Sequence, residues 1–98
     1  MIDINEKSTT ISVSELTQRA KSLLEGHFAR VDVEGEISDF TAASSGHWYF
    51  TLKDSESQVR CAMFRSANAK LRFKPSRGDR VQIRARVSLY TNRGEFQL

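Results

Sequence analysis

Hydrophobic and polar residues alternate along most of this chain, and the period of that alternation separates one helix from a series of strands. Residues 12–25 carry apolar side chains at helical spacing, and Ser12 with Glu15 forms the capping-box pattern that starts a helix. The longest alternation of period two spans 81–90, where apolar residues take one face and polar or cationic residues the other. Shorter segments of the same kind predict strands at 31–37, 47–53 and 58–64, with the start of a fifth at 95–98.

Glycines and polar segments set the boundaries between these elements. Gly26 is predicted to end the helix, and Gly35, on the inward face of the first strand, marks a bend or a close backbone approach. A loop is predicted at 39–46 and a short helical turn near 67–71. This order predicts a mainly β protein, a five-stranded OB-fold (a Greek-key barrel) with an N-terminal helix and a short helix between strands 3 and 4. The pattern also allows another small five-stranded barrel, such as an SH3-like one.

Length and composition are typical of a single soluble domain. The chain has 98 residues, 39% hydrophobic and 28% charged, and residues 1–10 lack periodicity, so we expect a flexible leader followed by a domain over 11–98. No apolar segment approaches the roughly 20 residues needed to cross a bilayer, and the N-terminus lacks a signal-peptide pattern. The single Cys61 excludes an intrachain disulfide and is expected to fill the core. These features predict a cytoplasmic protein with no membrane partner.

Charge is distributed unequally between the two halves of the chain. Residues 1–49 hold four Lys or Arg against eight Asp or Glu, a net charge of −4, whereas residues 50–98 hold eleven against four, a net charge of +7. A basic surface favours an anionic partner, because neutralising phosphates supplies most of the non-specific affinity for nucleic acid. Solvated strand faces can be basic too, so the charge supports a nucleic-acid partner without requiring one.

Strand parity then assigns a candidate binding face. If the apolar residues of the second and third strands face the core, Tyr49, Thr51 and Lys53 face outward from one strand and Arg60 from the other. Exposed aromatics beside cations suit single-stranded nucleic acid, because bases stack on the rings and phosphates pair with the charges. Tyr49 as a packing residue and Arg84 as a solvated one are the alternatives. The predicted DNA-binding residues are Tyr49, Thr51, Lys53, Arg60, Arg84, Arg86, Tyr90 and Arg93.

Candidate catalytic and metal-binding residues are few. Asp32, Glu34 and Glu36 share a face of the first strand, but they lie about 6–7 Å apart along an extended chain, which is wide for one shared cation. We interpret them as a solvated strand face. His27 and His47 are isolated in the sequence, and a metal site needs more ligands at closer spacing. The sequence therefore predicts no metal, no cofactor and no catalytic residue in this chain.

Longer motifs resemble one known family. The large subunit of bacterial exodeoxyribonuclease VII has, in the same order and at much the same spacing, the motifs ISVSEL, VEGEIS, SSGHWYFTLKD, QVRCAMFR, FKPSRGDRV and RVSLYTNRGEFQL. The resemblance covers about residue 11 to the end of the chain. It implies that this segment is an N-terminal OB-fold that binds DNA, attached to a separate nuclease domain and a long helical C-terminal region. That region associates with copies of a small subunit.

The resemblance also implies an activity for the whole enzyme. It degrades single-stranded DNA from either end to oligonucleotides, in the cytoplasm, on repair and recombination intermediates. Its nuclease residues lie downstream, so none maps onto this chain. Two alternatives stay open, a protein-docking OB module within the enzyme complex and an RNA-binding OB domain. Because the fifth strand stops at Leu98, we expect the domain to be truncated there and to self-associate through the unpaired edge.

Overall fold

A computed structural model describes residues 10–98, and the predicted leader lies outside the described residues except for Thr10. Its helices and strands, in chain order, are α1 (Val13–His27), β1 (Val31–Ala42), β2 (Trp48–Lys53), β3 (Gln58–Met63), α2 (Arg65–Asn68), β4 (Arg80–Ala85), β5 (Ser88–Tyr90) and β6 (Glu95–Gln97). The strands form one sheet in the order β4-β1-β2-β3-β6-β5. All neighbouring pairs are antiparallel except β3 and β6, which are parallel. The predicted OB-fold class is confirmed.

The two edge strands of this sheet follow each other directly in the chain. β4 and β5 were predicted as one strand over 81–90, but they pair with opposite edges of the sheet, β4 with β1 and β5 with β6. Arg86 and Val87 link them, and so short a link reaches about 11 Å at most, which holds the two edges of the sheet close together. The strand divides because the Val87 N–H donates to the carbonyl of Phe28, 3.0 Å away, instead of to a neighbouring strand. The predicted fourth strand is therefore divided into β4 and β5, so the described residues form six strands where five were predicted.

β1 is longer than predicted and changes register along its length. It runs to Ala42 rather than to residue 37, so the first half of the predicted loop at 39–46 is strand. Ile37 lies opposite Leu52, and Asp39 opposite Thr51, which leaves one extra residue on β1, at Ser38. Beyond this shift the parity of the strand is reversed, so that Asp39 shares the outer face with Thr51.

The core lies on the inner face of the sheet. Ile37, Phe50, Leu52 and Cys61 are buried there, each at most 6% exposed. Burial raises the pKa of the Cys61 thiol to about 11, so the side chain stays protonated and acts as a small apolar filler, as the sequence suggested. Half-buried residues from β1, β3 and β4 complete the packing, among them Val33, Val59 and Ile83.

α1 begins as predicted and ends later. The Ser12 Oγ accepts from the Glu15 N–H at 3.0 Å, which confirms the N-cap. The helix continues through Gly26 to His27, so the predicted C-terminal stop at Gly26 is wrong. The Phe28 N–H then closes the last turn on the Leu24 carbonyl.

α1 keeps most of its apolar side chains in solvent. Val13, Leu16 and Leu23 are more than half exposed. The helix lies against β5, where the Ser88 Oγ donates to Glu25 at 2.6 Å and lowers the pKa of that carboxyl. The apolar stripe seen in the sequence therefore packs little against the described part of the barrel.

α2 occupies 65–68 rather than the predicted 67–71, because its buried end is fixed by one asparagine. The Asn68 Nδ2 donates to the carbonyls of Gly46 and Met63, at 2.9 and 3.1 Å. These bonds tie α2 to the end of β3 and to the loop between β1 and β2.

Gly35 and Gly26 provide a matched test of this packing. A methyl group on Gly35 would lie 2.8 Å from the Lys53 carbonyl oxygen and 2.9 Å from Leu52, so Gly35→Ala should lower the free energy of unfolding by about 2 kcal/mol or more. Gly26 lies in a helix with open space around it, so Gly26→Ala should raise that free energy by about 0.5–1 kcal/mol. Urea unfolding of both variants measures this. Equal stability of the two would show that the chain does not approach itself closely at Gly35.

Candidate nucleic-acid interface

Three of the predicted DNA-binding residues surround one shallow cleft on the sheet. Seven residues line it: Tyr49 from β2, Arg60 and Cys61 from β3, Tyr90 from β5, and Glu95, Phe96 and Gln97 from β6. Its volume is about 70 Å³. Two tyrosines, a phenylalanine and an arginine thus come from four different strands, and the pairing of β6 between β3 and β5 is what brings them together.

Arg60 is held at this cleft by a hydrogen-bond network across three strands. Its Nη1 donates to the Asp39 Oδ1 at 3.0 Å and to the Thr51 Oγ1 at 2.6 Å. The Thr51 hydroxyl in turn donates to the Asp39 Oδ2 at 3.1 Å. Within residues 10–98, the Nη2 and Nε of Arg60 bond to no other residue, and the side chain is half exposed. One edge of the guanidinium is fixed, and the donors on the other edge can meet a ligand.

Thr51 plays a different part from the one that parity predicted. It is on the outer side of β2, but only 5% of it is exposed, because Asp39 and Arg60 cover it. It therefore supports Arg60 and does not itself form part of the exposed surface. Asp39 was missed because the sequence pattern placed it in a loop, and no local signal reveals the extra residue at Ser38.

A row of carboxylates on β1 neutralises other predicted contact residues. Asp32 accepts from the Arg84 Nε at 3.0 Å, and Glu36 lies 3.9 Å from the Lys53 Nζ. The hydrogen bond from Arg84 lowers the pKa of Asp32, and the same bond raises the pKa of Arg84. A third pair joins Glu34 to Arg80 at 3.9 Å. These carboxylates were interpreted as a solvated face; they are exposed but paired, so Lys53 and Arg84 offer less free charge than predicted.

Arg86 and Arg93 are the predicted cations that form no ion pair within the described residues. Arg86 lies in the link between β4 and β5, and Arg93 lies in the turn after β5. That turn is closed by a hydrogen bond from the Arg93 N–H to the Tyr90 carbonyl, and Gly94 follows with a φ of +64°. Tyr90, 47% exposed, stands at the start of the same turn. An aromatic ring and a free cation therefore share this end of the sheet.

A wider groove of about 860 Å³ opens on the inner side of the sheet. Its walls are mostly apolar and include Trp48, Met63 and Leu89, while Arg86 and Glu25 add charges of opposite sign to the lining. Trp48 is half-buried, and its ring stands edge-on to Phe40 at 5.3 Å between centroids. The groove therefore joins the incompletely covered core to the surface that carries Arg86.

Among residues 10–98, no three His, Cys, Asp or Glu side chains come together as a metal site would need. In the same part of the chain, neither helix has the length and apolar character that a membrane crossing requires.

Comparison with protein families matches residues 11–98 to the model of an OB-fold nucleic acid binding domain. The chain belongs to this family. Among curated proteins, it is 50% identical over 92 residues to the exodeoxyribonuclease 7 large subunit of Shewanella frigidimarina, covering 94% of this chain. It is 54% identical over 87 residues, 89% of this chain, to the protein of that name from Haemophilus influenzae. The family resemblance drawn from the motifs is confirmed. The chain spans 20% of the length of each of these relatives.

The support of Arg60 by Thr51 can be measured. Thr51→Val keeps the shape of the side chain and removes the hydroxyl that joins Asp39 to Arg60, so the free energy of unfolding should fall by about 1 kcal/mol. Thr41→Val, on the exposed part of β1, is the matched control, because the Thr41 hydroxyl forms no hydrogen bond within residues 10–98. Equal stability of the two variants in urea unfolding would contradict the network.

Proposed function

We propose that this chain is a single-stranded DNA-binding domain of an exodeoxyribonuclease VII large subunit. The observation that carries the proposal is the cleft between Tyr49 and Tyr90, where Arg60 is fixed by one nitrogen and keeps its other donors free. Any base can stack on an aromatic ring, and a guanidinium can donate hydrogen bonds to any phosphate. The sequence preference of binding should therefore be slight. The family assignment supports nucleic acid as the ligand.

In this proposal the eight predicted residues have unequal roles. Tyr49 and Tyr90 stack on bases, and Arg60, Arg86 and Arg93 contact phosphates. Lys53 and Arg84 remain bound to their carboxylates on β1 and contribute little. Thr51 acts through Arg60.

The names of the relatives support a role within a nuclease. We infer that the domain presents single-stranded DNA to a nuclease domain elsewhere in a longer chain, and that the segment described here has no catalysis, metal or cofactor of its own. The small subunit would bind another part of the large subunit. The place of action that fits this function is the cytoplasm.

The apolar groove favours a second candidate, a protein-docking OB module. Its walls are largely hydrophobic, and a partner that buried them would bind with little dependence on salt. DNA binding, in contrast, weakens steeply as salt rises. The tyrosines and arginines could contact the bases and phosphates of RNA as well as those of DNA. An RNA-binding role is therefore tested by comparing the affinities for RNA and DNA oligomers of matched sequence.

Removing an aromatic ring from the cleft or a cation from the adjoining groove should weaken binding in different ways. Tyr90→Ala should lower the affinity for oligothymidylate about tenfold through lost stacking. Arg86→Ala should reduce the slope of log affinity against log salt by about 0.7, one phosphate contact on a single strand. Fluorescence anisotropy at several salt concentrations measures both.

Arg19→Ala is the control, since Arg19 pairs with Glu15 on α1 and lines neither the cleft nor the groove. An affinity that is independent of salt, or an Arg19→Ala effect as large as that of Arg86→Ala, would contradict the proposed face.

Self-association stays a prediction, and the structure changes the surface that would carry it. The fifth strand, β6, pairs on both sides, with β3 at Gln97 and with β5. The exposed stripe of α1 offers a second copy an apolar surface instead. We expect sedimentation to show concentration-dependent association that Leu16→Glu weakens and Gln18→Glu, on the same helix, leaves unchanged. A monomer at every concentration would contradict it.

A further inference from the structure

The segment between α2 and β4, together with α2 itself, carries the densest positive charge in the chain. Residues 64–79, called the connection from here on, hold five cations and one carboxylate: Arg65, Lys70, Arg72, Lys74, Arg77 and Asp79. The carboxylate is occupied by its own turn, because Asp79 accepts from the Ser76 N–H at 2.9 Å and the Ser76 hydroxyl at 3.4 Å. Within residues 10–98 none of the five cations forms an ion pair. The connection thus contrasts with the strands, whose cations face the carboxylates of β1.

Large aromatic side chains are exposed among these cations. Phe73 is 64% exposed and lies between Arg72 and Lys74, and Phe64 is 59% exposed beside Arg65. Exposed rings interleaved with free cations are the combination that single-stranded nucleic acid uses. A protein partner would bury the rings but would have to desolvate or pair all five charges, which favours a polyanion.

Contacts with the sheet hold the connection in place. The Arg65 N–H donates to the His47 Nδ1 at 2.9 Å, and the ring of Phe64 stands edge-on to His47 at 5.1 Å between centroids. Further along, the Lys74 Nζ lies 5.9 Å from the centre of the Phe40 ring. The connection is therefore held on the loop after β1 at Phe64 and Arg65, and on β1 at Lys74.

The connection borders the same groove as the cleft residues. Phe64 and Phe73 line the 860 Å³ groove, and so do Arg86 and Tyr90. Tyr90 also lines the cleft with Tyr49 and Arg60. A strand that leaves the cleft at Tyr90 can therefore follow the mouth of the groove to Phe73.

We propose that the connection is a second contact site for single-stranded DNA, occupied by the part of a longer strand that extends beyond the cleft. Arg72, Lys74 and Arg77 bind phosphates there, and Phe73 stacks on a base. This inference rests on the proposed function, since the first contacts are those of the cleft. OB domains cover about 4–16 nucleotides, so an oligomer of about 5 should fill the cleft and one of about 15 should reach the connection as well.

The test compares oligothymidylates of about 5 and about 15 nucleotides, the limits that such site sizes suggest, bound to the chain and to two variants. The triple variant Arg72→Gln, Lys74→Gln, Arg77→Gln should reduce the salt slope for the longer oligomer by about 2, three contacts at about 0.7 each. Phe73→Ala should weaken binding of the longer oligomer about tenfold. Neither should change the affinity for the shorter one. Because all four side chains are exposed, unfolding in urea should show that the variants keep the fold.

A control variant matches the triple variant in charge. Arg19→Gln, Arg30→Gln, Arg80→Gln also removes three positive charges, from residues that line neither the cleft nor the groove. It should leave the difference in affinity between the long and short oligomers unchanged. The inference is overturned if this control matches the triple variant, if Phe73→Ala and the triple variant bind the long oligomer normally, or if both lose the short and long oligomers equally. If the unaltered chain binds neither oligomer, the proposed function itself fails.

Discussion

The structure depends on β1, which exchanges its partner strand midway. Its first half, up to Glu36, pairs with β4, and its second half, from Glu36 onward, pairs with β2. Gly35 makes the exchange possible, because a side chain there would collide with the backbone of β2. Once both neighbours lie on one continuous strand, the sheet must curl, and the remaining strands close it from the other side. The cleft forms where that closure places β6 beside β3 and β5 beside β6.

Electrostatics follow from the same strand. The acidic half of the sequence contributes four of its eight carboxylates to β1, and the basic half contributes cations to the strands on either side of it. Pairing across β1 therefore cancels charge that the sequence counts as free, at Lys53 and at Arg84. The positive potential that remains belongs chiefly to the cations of the connection, none of which forms an ion pair within residues 10–98. The net charges of the two halves of the chain predicted a positively charged surface but could not show where on the molecule it lies.

The sequence predicted what is encoded locally. The capping box at Ser12 was correct, and so was the alternation that places Ile37, Phe50 and Leu52 inward. Tyr49, Arg60 and Tyr90 were assigned to one surface, and the structure brings them together around one cleft. What it missed depends on contacts far along the chain. The division of the fourth strand needs the carbonyl of Phe28, and the burial of Thr51 needs two side chains from other strands. Parity reasoning carries no information about an extra residue such as Ser38, because one insertion reverses every assignment that follows.

The hydrogen bond from Val87 to Phe28 links the end of the helix to the point where the sheet's two edges meet. A helix that buries little of itself needs little energy to detach, and its detachment would release the Val87 amide and let the edges separate. The barrel can therefore open at the link between β4 and β5, and α1 holds that link in place. The rate at which the Val87 amide proton exchanges with solvent therefore measures how often α1 detaches. This rate is independent of the stability of the sheet formed by β1, β2 and β3.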